Sequence, residues 1–581
     1  MEKRWQLAPT CPTGTDVEFG VTSTVQAQLL WNRGLRDRAS VQQFLHVDWE
    51  QHLHDPSLFR AMSGALGRVF RALKEGEPII VHGDYDADGV TGSTLLITTL
   101  REIERLLVPE RGAASSCIDF YIPHREKEGY GLHAATVGKL KERGTRLIIT
   151  VDCGIACVDE IALAKQGAMD TIVVDHHQFG ETLPDGFLIH PGLPEETYPF
   201  KQLAAVGVAF KFACALVDEA RRQCLAIPVG WEKWLLDLVA IATVTDMVPL
   251  TGENRLLETY GLQVLNKTRR VGLLALIESA GLSLGTLDTE SIGFGIGPRI
   301  NAAGRMDHAS LALRLLLAES TDEAKALASE LDACNRERQE VTKKMMAEAE
   351  KNFQISSAKT IMLWDAAWSP SLVGLVAGRF AERFSRPVAV IGHHEGKWIG
   401  SGRSIPGFDI TAAMRVAGEG ILTRIGGHPQ ACGFALEDAS QLPRLAERLQ
   451  AYAQERVTEE DLIPSLSVDV ALPLEQVREE TYALIQTLEP FGEGNRRPVF
   501  LSTHVMVTTA DTMGSTGSHL RLALVDGSGR RIKAVGFKLG SRAAEISVGS
   551  RMDLVYHLAQ NEWNGRRSIE CHLIDFKPCT A

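Results

Sequence analysis

The sequence predicts an α/β protein built from a doubly wound parallel-sheet domain, a helical connector, a smaller second α/β domain and a C-terminal OB-like β-barrel. Three observations predict it. Between Pro78 and Asp175, continuous Val- and Ile-rich runs alternate with amphipathic segments of helical length, the pattern of parallel strands covered on both faces. From Arg305 to Ser369 there is no Gly or Pro, and residues 320–352 are rich in Ala, Glu, Lys and Leu, which reads as long helix. After Leu462, short alternating runs are separated by turn signals at Asp526-Gly527 and Asn564-Gly565, which suggests a small antiparallel barrel.

The elements follow in order. PIIVHGD (78–84) precedes a helical pattern over 93–107, CIDFYI (117–122) precedes 133–143, LIITVD (147–152) precedes 157–167, and TIVVD (171–175) comes next. A more helical stretch runs from about 203 to 350, with apolar periodicity in AAVGVAFKFACALV and LLDLVAIATV. A second α/β pattern begins at TIMLWDAAW (360–368) and continues through SRPVAVIG, KWIGSGRSI and GGHPQACGF. The expected division is an N-terminal segment over 1–65 packing on the catalytic lobe, a catalytic domain over 66–310, a connector over 311–355, a second domain over 356–460 and a barrel over 461–581.

Composition sets limits. A chain of 581 residues, at roughly 150 residues per domain, holds about three or four domains. A formal charge of −12 argues against gripping duplex DNA over the whole surface, so any nucleic-acid contact is local. Ten cysteines without a CxxC pair point to a reducing compartment. The N-terminal stretch has no signal-peptide pattern, and no apolar run approaches the ~18 residues a bilayer requires. A soluble cytoplasmic protein is expected.

The chemistry concentrates at strand ends. GDYDADG (83–89) follows the run IIV directly, so Asp84, Asp86 and Asp88 stand at the carboxyl end of a parallel strand, where open α/β sheets bind ligands. LIITV ends in Asp152-Cys153-Gly154, and TIVV ends in Asp175-His176-His177. One such acid commonly just caps the next helix. Three strands delivering acids or imidazoles to one edge would repel strongly unless cations neutralised them. Carboxylates with one or two imidazoles suit Mn²⁺ or Mg²⁺ better than structural zinc. More candidate ligands are present than one ion needs, which favours two ions and in-line hydrolysis at phosphorus.

GDYDADG, VDCG, DHH and LVAIATVTDMVP (238–249) resemble the four motifs of the DHH phosphoesterase superfamily. GPRINAAGRM (297–306), GSGRSIPGFD (400–409), GGH (426–428) and LEPFGEGNRRPVF (488–500) further resemble the RecJ family of single-strand-specific exonucleases, with a DHHA1-type second domain. The resemblance runs from about Leu29 to the C-terminal barrel. It implies Asp84, Asp86, Asp88, Asp152, His176 and Asp246 as metal ligands, with Asp152 between two ions. It also implies that His177 orients the site or acts as general acid, and that His82 ranks below Asp84 as a ligand. Arg299, Asn301 and Arg305 would sit beside the scissile phosphate, Arg299 catalytically with Asp152 and His177. Arg403 and Ser404, in a Gly-rich loop, and His428 would hold a 5′-terminal phosphate. The chain departs from the family at Ser369, where His is usual, and at Pro429, Gln430 and Cys432, where small residues are usual.

The implied activity is 5′→3′ exonucleolytic release of 5′-mononucleotides from single-stranded DNA with two Mn²⁺ or Mg²⁺ ions, in recombination and repair. A RecQ-type helicase and a single-strand-binding protein are possible partners of what would be a monomer away from membranes. The barrel adds its own signal: from His519 to Lys538 there are five Lys/Arg and one acid, interleaved in the domain with Phe537, Tyr556 and Trp563 as stacking candidates. A phosphodiesterase for short oligonucleotides or cyclic dinucleotides uses the same chemistry but does not need the barrel. A non-catalytic replication scaffold would have lost motif acids, and they are present here. DYDADG in place of GxGxxG sets aside a nicotinamide enzyme.

Overall fold

A computed structural model describes residues 3–112, 115–353, 358–563 and 565–579, apart from the side chains of Asn352 and Trp563. The chain forms two compact units, one comprising His54–Val248 and Tyr260–Pro464, the other Lys3–Leu53, Pro249–Thr259 and Ser465–Ala581.

In the first unit, a five-stranded parallel sheet runs in the order Ile118–Tyr121, Ile79–Gly83, Leu147–Val151, Asp170–Val174, Phe187–Ile189. Ile79–Gly83 and Leu147–Val151 are buried along their whole length, which is why they read as unbroken apolar runs. Ile80, Ile148 and Val173 pack with Val137, Leu140, Ile161 and Ala164 of the helices Ala134–Glu142 and Val158–Gln166. The helix Ala87–Leu107 also lies close to the sheet: a Cβ on its Gly92 would stand 2.7 Å from Val151 Cγ1. This helix starts six residues before the predicted position because Asp86 caps it, accepting from the amides of Asp88 and Gly89. The short strand Phe187–Ile189 escaped the sequence reading.

The same unit contains the 32-residue helix Thr321–Asn352, whose N-cap Ser320 accepts from the Glu323 amide. A mixed second sheet follows, in the order Arg424–His428, Ala431–Leu436, Lys397–Arg403, Val388–His394, Ile361–Trp364, with only the last two parallel. Here the expected Gly-rich loop proves to be a strand. Gly400–Arg403 lie within Lys397–Arg403, where a Cβ on Gly400 would meet Phe434 at 2.2 Å and one on Gly402 would meet Cys432 Sγ at 2.6 Å. Those glycines admit side chains of the neighbouring strand.

The second unit is a closed five-stranded barrel. Phe500–Met513 pairs with His519–Val525, then Arg531–Gly536, Arg566–Pro578 and Arg551–Trp563, which returns to pair with Phe500–Met513. Its core joins Phe500, Leu522, Leu554 and Phe576 to Phe19, Leu29, Leu30 and Phe44. Of the segment expected over 1–65, residues 3–53 therefore belong with the barrel, whereas residues 54–65 group with the unit that holds the parallel sheet. Arg255 ties this arrangement, donating to the carbonyls of Phe44, Leu488 and Glu489 at 2.7–2.9 Å.

Candidate active site

The parallel sheet brings its strand ends to one place. Asp84 follows Ile79–Gly83 and Asp152 follows Leu147–Val151, two adjacent strands at the centre of the doubly wound order. Close packing forms the first turn: a Cβ on Gly89 would stand 2.6 Å from the Asp84 amide nitrogen. Asp152 is held at φ 62°, and Met247, next to Asp246, at φ 57°. Left-handed backbone at a non-glycine residue persists only where the surroundings enforce it.

Ligand atoms converge in three overlapping groups, each within 4.8 Å: Asp84, Asp86 and Asp152; Asp88, His176 and Asp246; Asp152, His176 and His177. His176 Nε2 lies 3.4 Å from Asp152, 3.6 Å from Asp246 and 3.8 Å from Asp88. Asp152 belongs to two of the groups. His82 joins none of them among the described residues; it is buried, stacked on Tyr121 and 3.6 Å from Cys153 Sγ.

The electrostatics are those of an uncompensated acidic cluster. Burial, then repulsion from neighbouring carboxylates, drives Asp84 and Asp152 well above the ordinary carboxylate range. The same causes raise Asp88 to about 7 and Asp246 to about 9. Burial lowers His176 to about 4, so its imidazole is neutral and free to act as a ligand. Asp84 Oδ1, Asp152 Oδ1 and His176 Nε2 are buried without hydrogen-bond partners. Buried acceptors left unpaired are costly, and divalent cations satisfy such a donor set. The residues fit two Mn²⁺ or Mg²⁺ ions.

His177 behaves differently. Burial opposes its protonation, but the Asp175 hydrogen bond at 2.9 Å and the charges of Asp175, Asp246 and Asp84 outweigh burial and raise it to about 9. Asp175 is fully engaged: besides His177 Nδ1 it accepts from the amides of Ile155, His176 and His177. Although burial would raise it, the His177 contact and these amides hold it near 2. Asp88 also accepts from the amides of Ala205 and Val206 at the start of the helix Ala205–Arg222. Capping and clustering thus coexist in one carboxylate.

Other residues named from the sequence fall into place unevenly. Asn301 accepts from the Ala87 amide at 2.8 Å and so braces the DYDADG turn. Arg305 is buried and donates to the Ser371 carbonyl at 2.8 Å. Arg299 pairs with Asp332 at 2.9 Å and donates to the Gly295 carbonyl, an arrangement that by itself is a structural salt bridge. Ser404 donates to the Phe408 carbonyl, His428 is an exposed strand residue, and Arg403 donates to Ser401 Oγ and the Gly402 carbonyl. Ser369, the departure from the family, lies 3.3 Å from Glu126, which also accepts from Ser371 at 2.8 Å.

Two residues were missed. Tyr130 donates to the Asp152 carbonyl at 2.9 Å and faces His177 Nδ1 at 3.0 Å. Arg125 stacks over Tyr85 at 4.4 Å. Burial first, then repulsion from Arg125, Arg338 and Arg403, outweighs the attraction of Asp86 and lowers Arg305 to about 9. Arg125 and Tyr130 follow the strand Ile118–Tyr121, so the strand-end logic applied to the other three strands could have found them.

Family models match along most of the chain: the DHH family N-terminal domain over residues 78–243, the DHHA1 domain over 352–455 and the RecJ OB domain over 468–575. The single-stranded-DNA-specific exonuclease RecJ of Bacillus subtilis is 39% identical over 554 residues, covering 94% of this chain and 67% of the relative. That of Salmonella typhimurium is 32% identical, covering 95% of each. The crystal structure of Thermus thermophilus RecJ with Mn²⁺ superposes with a TM-score of 0.82 at 30% identity, covering 100% of this chain and 80% of that one. Its Mg²⁺ complex superposes with a TM-score of 0.76 at 29% identity, covering 100% and 79%. With motifs, domain order and full-length fold in agreement, the chain belongs to the RecJ family.

Proposed function

We propose that this chain is a metal-dependent exonuclease that degrades single-stranded DNA 5′→3′ to 5′-mononucleotides. The observation that carries it is the convergence of Asp84, Asp86, Asp88, Asp152, His176 and Asp246, with buried unpaired ligand atoms, in a chain that is similar to RecJ over nearly its full length. One ion would sit among Asp84, Asp86 and Asp152, the other among Asp88, His176 and Asp246, with Asp152 between them. When bound, the two ions supply an acidified water and Lewis-acid stabilisation of the phosphorane-like transition state.

The chain's own groups do the rest. His177, protonated at neutral pH and fixed by Asp175 and Tyr130, gives its proton to the departing 3′-oxygen as the bond between that oxygen and phosphorus breaks, while the water, its proton released to solvent, bonds through oxygen to phosphorus. Arg305, Arg125 and Arg403 hold phosphate oxygens through guanidinium forks. Asn301 keeps the DYDADG turn in place, and Arg299, fixed by Asp332, orients the helix Gly297–Met306 that carries Asn301 and Arg305. Ser404 and His428 receive the 5′-terminal phosphate. Single strands would enter between the parallel-sheet lobe and the second domain, and the barrel would add affinity for the strand through Phe537 and the basic residues between His519 and Lys538.

The functional division is a catalytic domain over 66–310, a connector over 311–355, a DHHA1-type domain over 356–460 and a barrel over 461–581. The protein acts as a monomer in the cytoplasm, on strands exposed by a RecQ-type helicase and coated by a single-strand-binding protein, in recombination and repair. No helix among the described residues is long and apolar enough to cross a membrane. End-labelled single strands with Mn²⁺ or Mg²⁺ test the reading. Mononucleotides should appear from the 5′ end of single strands and not from blunt duplex; equal digestion of both would overturn it.

A further inference from the structure

The barrel carries a second cluster of metal-binding side chains. His504, Asp553 and Cys579 bring an imidazole nitrogen, a carboxylate oxygen and a thiol sulfur within 4.8 Å of one another. His504 lies in the strand Phe500–Met513, Asp553 in its partner Arg551–Trp563, and Cys579 directly after the end of the strand Arg566–Pro578. Ser502 pairs with Leu554 and Val505 with Met552, so Thr503 and His504 bulge opposite Asp553; Asp553 pairs in turn with Lys577, two residues before Cys579. Asp553 flanks the buried Met552 and Leu554, so alternation turns its carboxylate outward.

The local geometry is already drawn together. Asp553 Oδ1 accepts from the His504 amide at 2.8 Å, and Cys579 Sγ lies 3.2 Å from the same oxygen. His504 stands at φ 57°, a left-handed conformation imposed by the bulge. Zinc bonds of about 2.0–2.1 Å to nitrogen or oxygen and about 2.3 Å to sulfur imply ligand separations of roughly 3.3–3.8 Å in a tetrahedron. The sulfur–carboxylate distance falls just short of that range, and rotation of the exposed His504 side chain closes the remainder.

We propose that His504, Asp553 and Cys579 form a Zn²⁺-type site at the closing seam of the barrel, distinct from the catalytic cluster and different from it in ligand chemistry. A thiolate and an imidazole favour Zn²⁺ or Co²⁺ over the Mn²⁺ and Mg²⁺ that an all-oxygen set prefers. Binding releases the Cys579 thiol proton to solvent and forms the sulfur–metal bond; no electron is transferred. Water occupies the fourth position. The ion staples the end of the last strand to the bulge, across the pairing that closes the barrel.

Co²⁺ added to the metal-stripped full-length protein under reducing conditions tests this. A thiolate-to-metal charge-transfer band should appear, persist in Asp246→Asn, and vanish in Cys579→Ser and in His504→Ala. Only a thiolate gives that band, so cobalt in the carboxylate cluster does not mimic it. On the unaltered chain, Zn²⁺ should slow alkylation of Cys579 about tenfold or more, as metal binding masks the thiolate. Absence of the band, its survival in Cys579→Ser, or alkylation of Cys579 at the same rate with and without Zn²⁺ would overturn the proposal.

Discussion

His177 Nδ1 lies 2.9 Å from Asp175 Oδ1, and the buried Asp175 spends its remaining acceptor capacity on three backbone amides. The carboxylate therefore cannot turn away to bind a cation and acts on His177 alone. With both cations bound, the charges of Asp246 and Asp84 are neutralised, leaving Asp175 as the main support for the imidazolium. The basic limb of the kcat profile should then fall below the pH of about 9 at which His177 titrates in the metal-free protein. Asp175→Asn removes that support: the limb should move to lower pH, and kcat at pH 8 should fall by about 10²-fold or more, the usual worth of a positioned proton donor. A pH–rate profile of the two proteins with saturating Mg²⁺ checks it, and an unmoved limb would exclude His177 as the acid.

The cluster trades stability for function. Asp152 is buried, its Oδ1 is unpaired and its neighbours Asp88, Asp86 and Asp84 repel it. Asp152→Asn should stabilise the metal-free protein by about 1–2 kcal/mol, as relief of strain at functional sites commonly does. The same change should abolish both hydrolysis and the upward shift in melting temperature on adding Mn²⁺. Thermal melts with EDTA and with Mn²⁺, beside a nuclease assay, distinguish this from simple misfolding, which would lower the EDTA value.

How the site emerges from the sequence explains what was and was not legible. Asp84, Asp152 and His176 could be read because each follows a buried strand of one parallel sheet, and topology then dictates that they meet. Tyr130 was harder to read because only its place after the strand end, and no periodicity, points to it, and the loop after Tyr121 carries it to His177. GSGRSI looked like a loop because glycine density has two causes; here Phe434 and Cys432 need the space, a fact held in a distant strand. Tyr556, offered as a stacking surface, is wholly buried with its hydroxyl 2.8 Å from Ser502 Oγ, since its strand position faces the barrel core. Trp563, its companion in that reading, has its side chain outside the described residues. The placement of residues 3–53 depended on Phe19, Leu29 and Phe44 finding partners more than 400 residues away, beyond any local signal.

Proton linkage should expose the raised carboxyls directly. Asp88 and Asp246 ionise near 7 and 9 in the folded metal-free protein, against about 3.8 when unfolded. A raised folded pKa contributes stability that is complete below the unfolded value and is lost as pH rises through the folded one. Metal-free protein should therefore lose stability from just above the unfolded value of 3.8 up to about pH 7 through both groups, and on to about pH 9 through Asp246. Saturating Mg²⁺ should flatten that loss, because the bound cation replaces the protons. Urea melts across this range, compared with an Asp246→Asn variant that lacks one of the groups, check it; identical slopes with and without Mg²⁺ would contradict it.

Phe537 is 54% exposed on the barrel, with the rings of His519 and His572 at 5.6 and 5.3 Å edge-on to it. Three of the five cations between His519 and Lys538 are already engaged. Arg530 is paired with Asp526, Lys533 with Glu570 and Arg521 with Asp511, and each can exchange that partner for a phosphate only at some expense. Stacking should thus carry more of the barrel's grip than charge does. Phe537→Ala should weaken capture of long single strands by about 1–3 kcal/mol, the usual worth of one base–aromatic contact, which is roughly a 5- to 150-fold rise in KM. Its kcat should hold, since the chemistry is done elsewhere. The loss in KM should shrink as the substrate strand is shortened, and an equal loss at every length would show that Phe537 acts through the fold rather than through the strand.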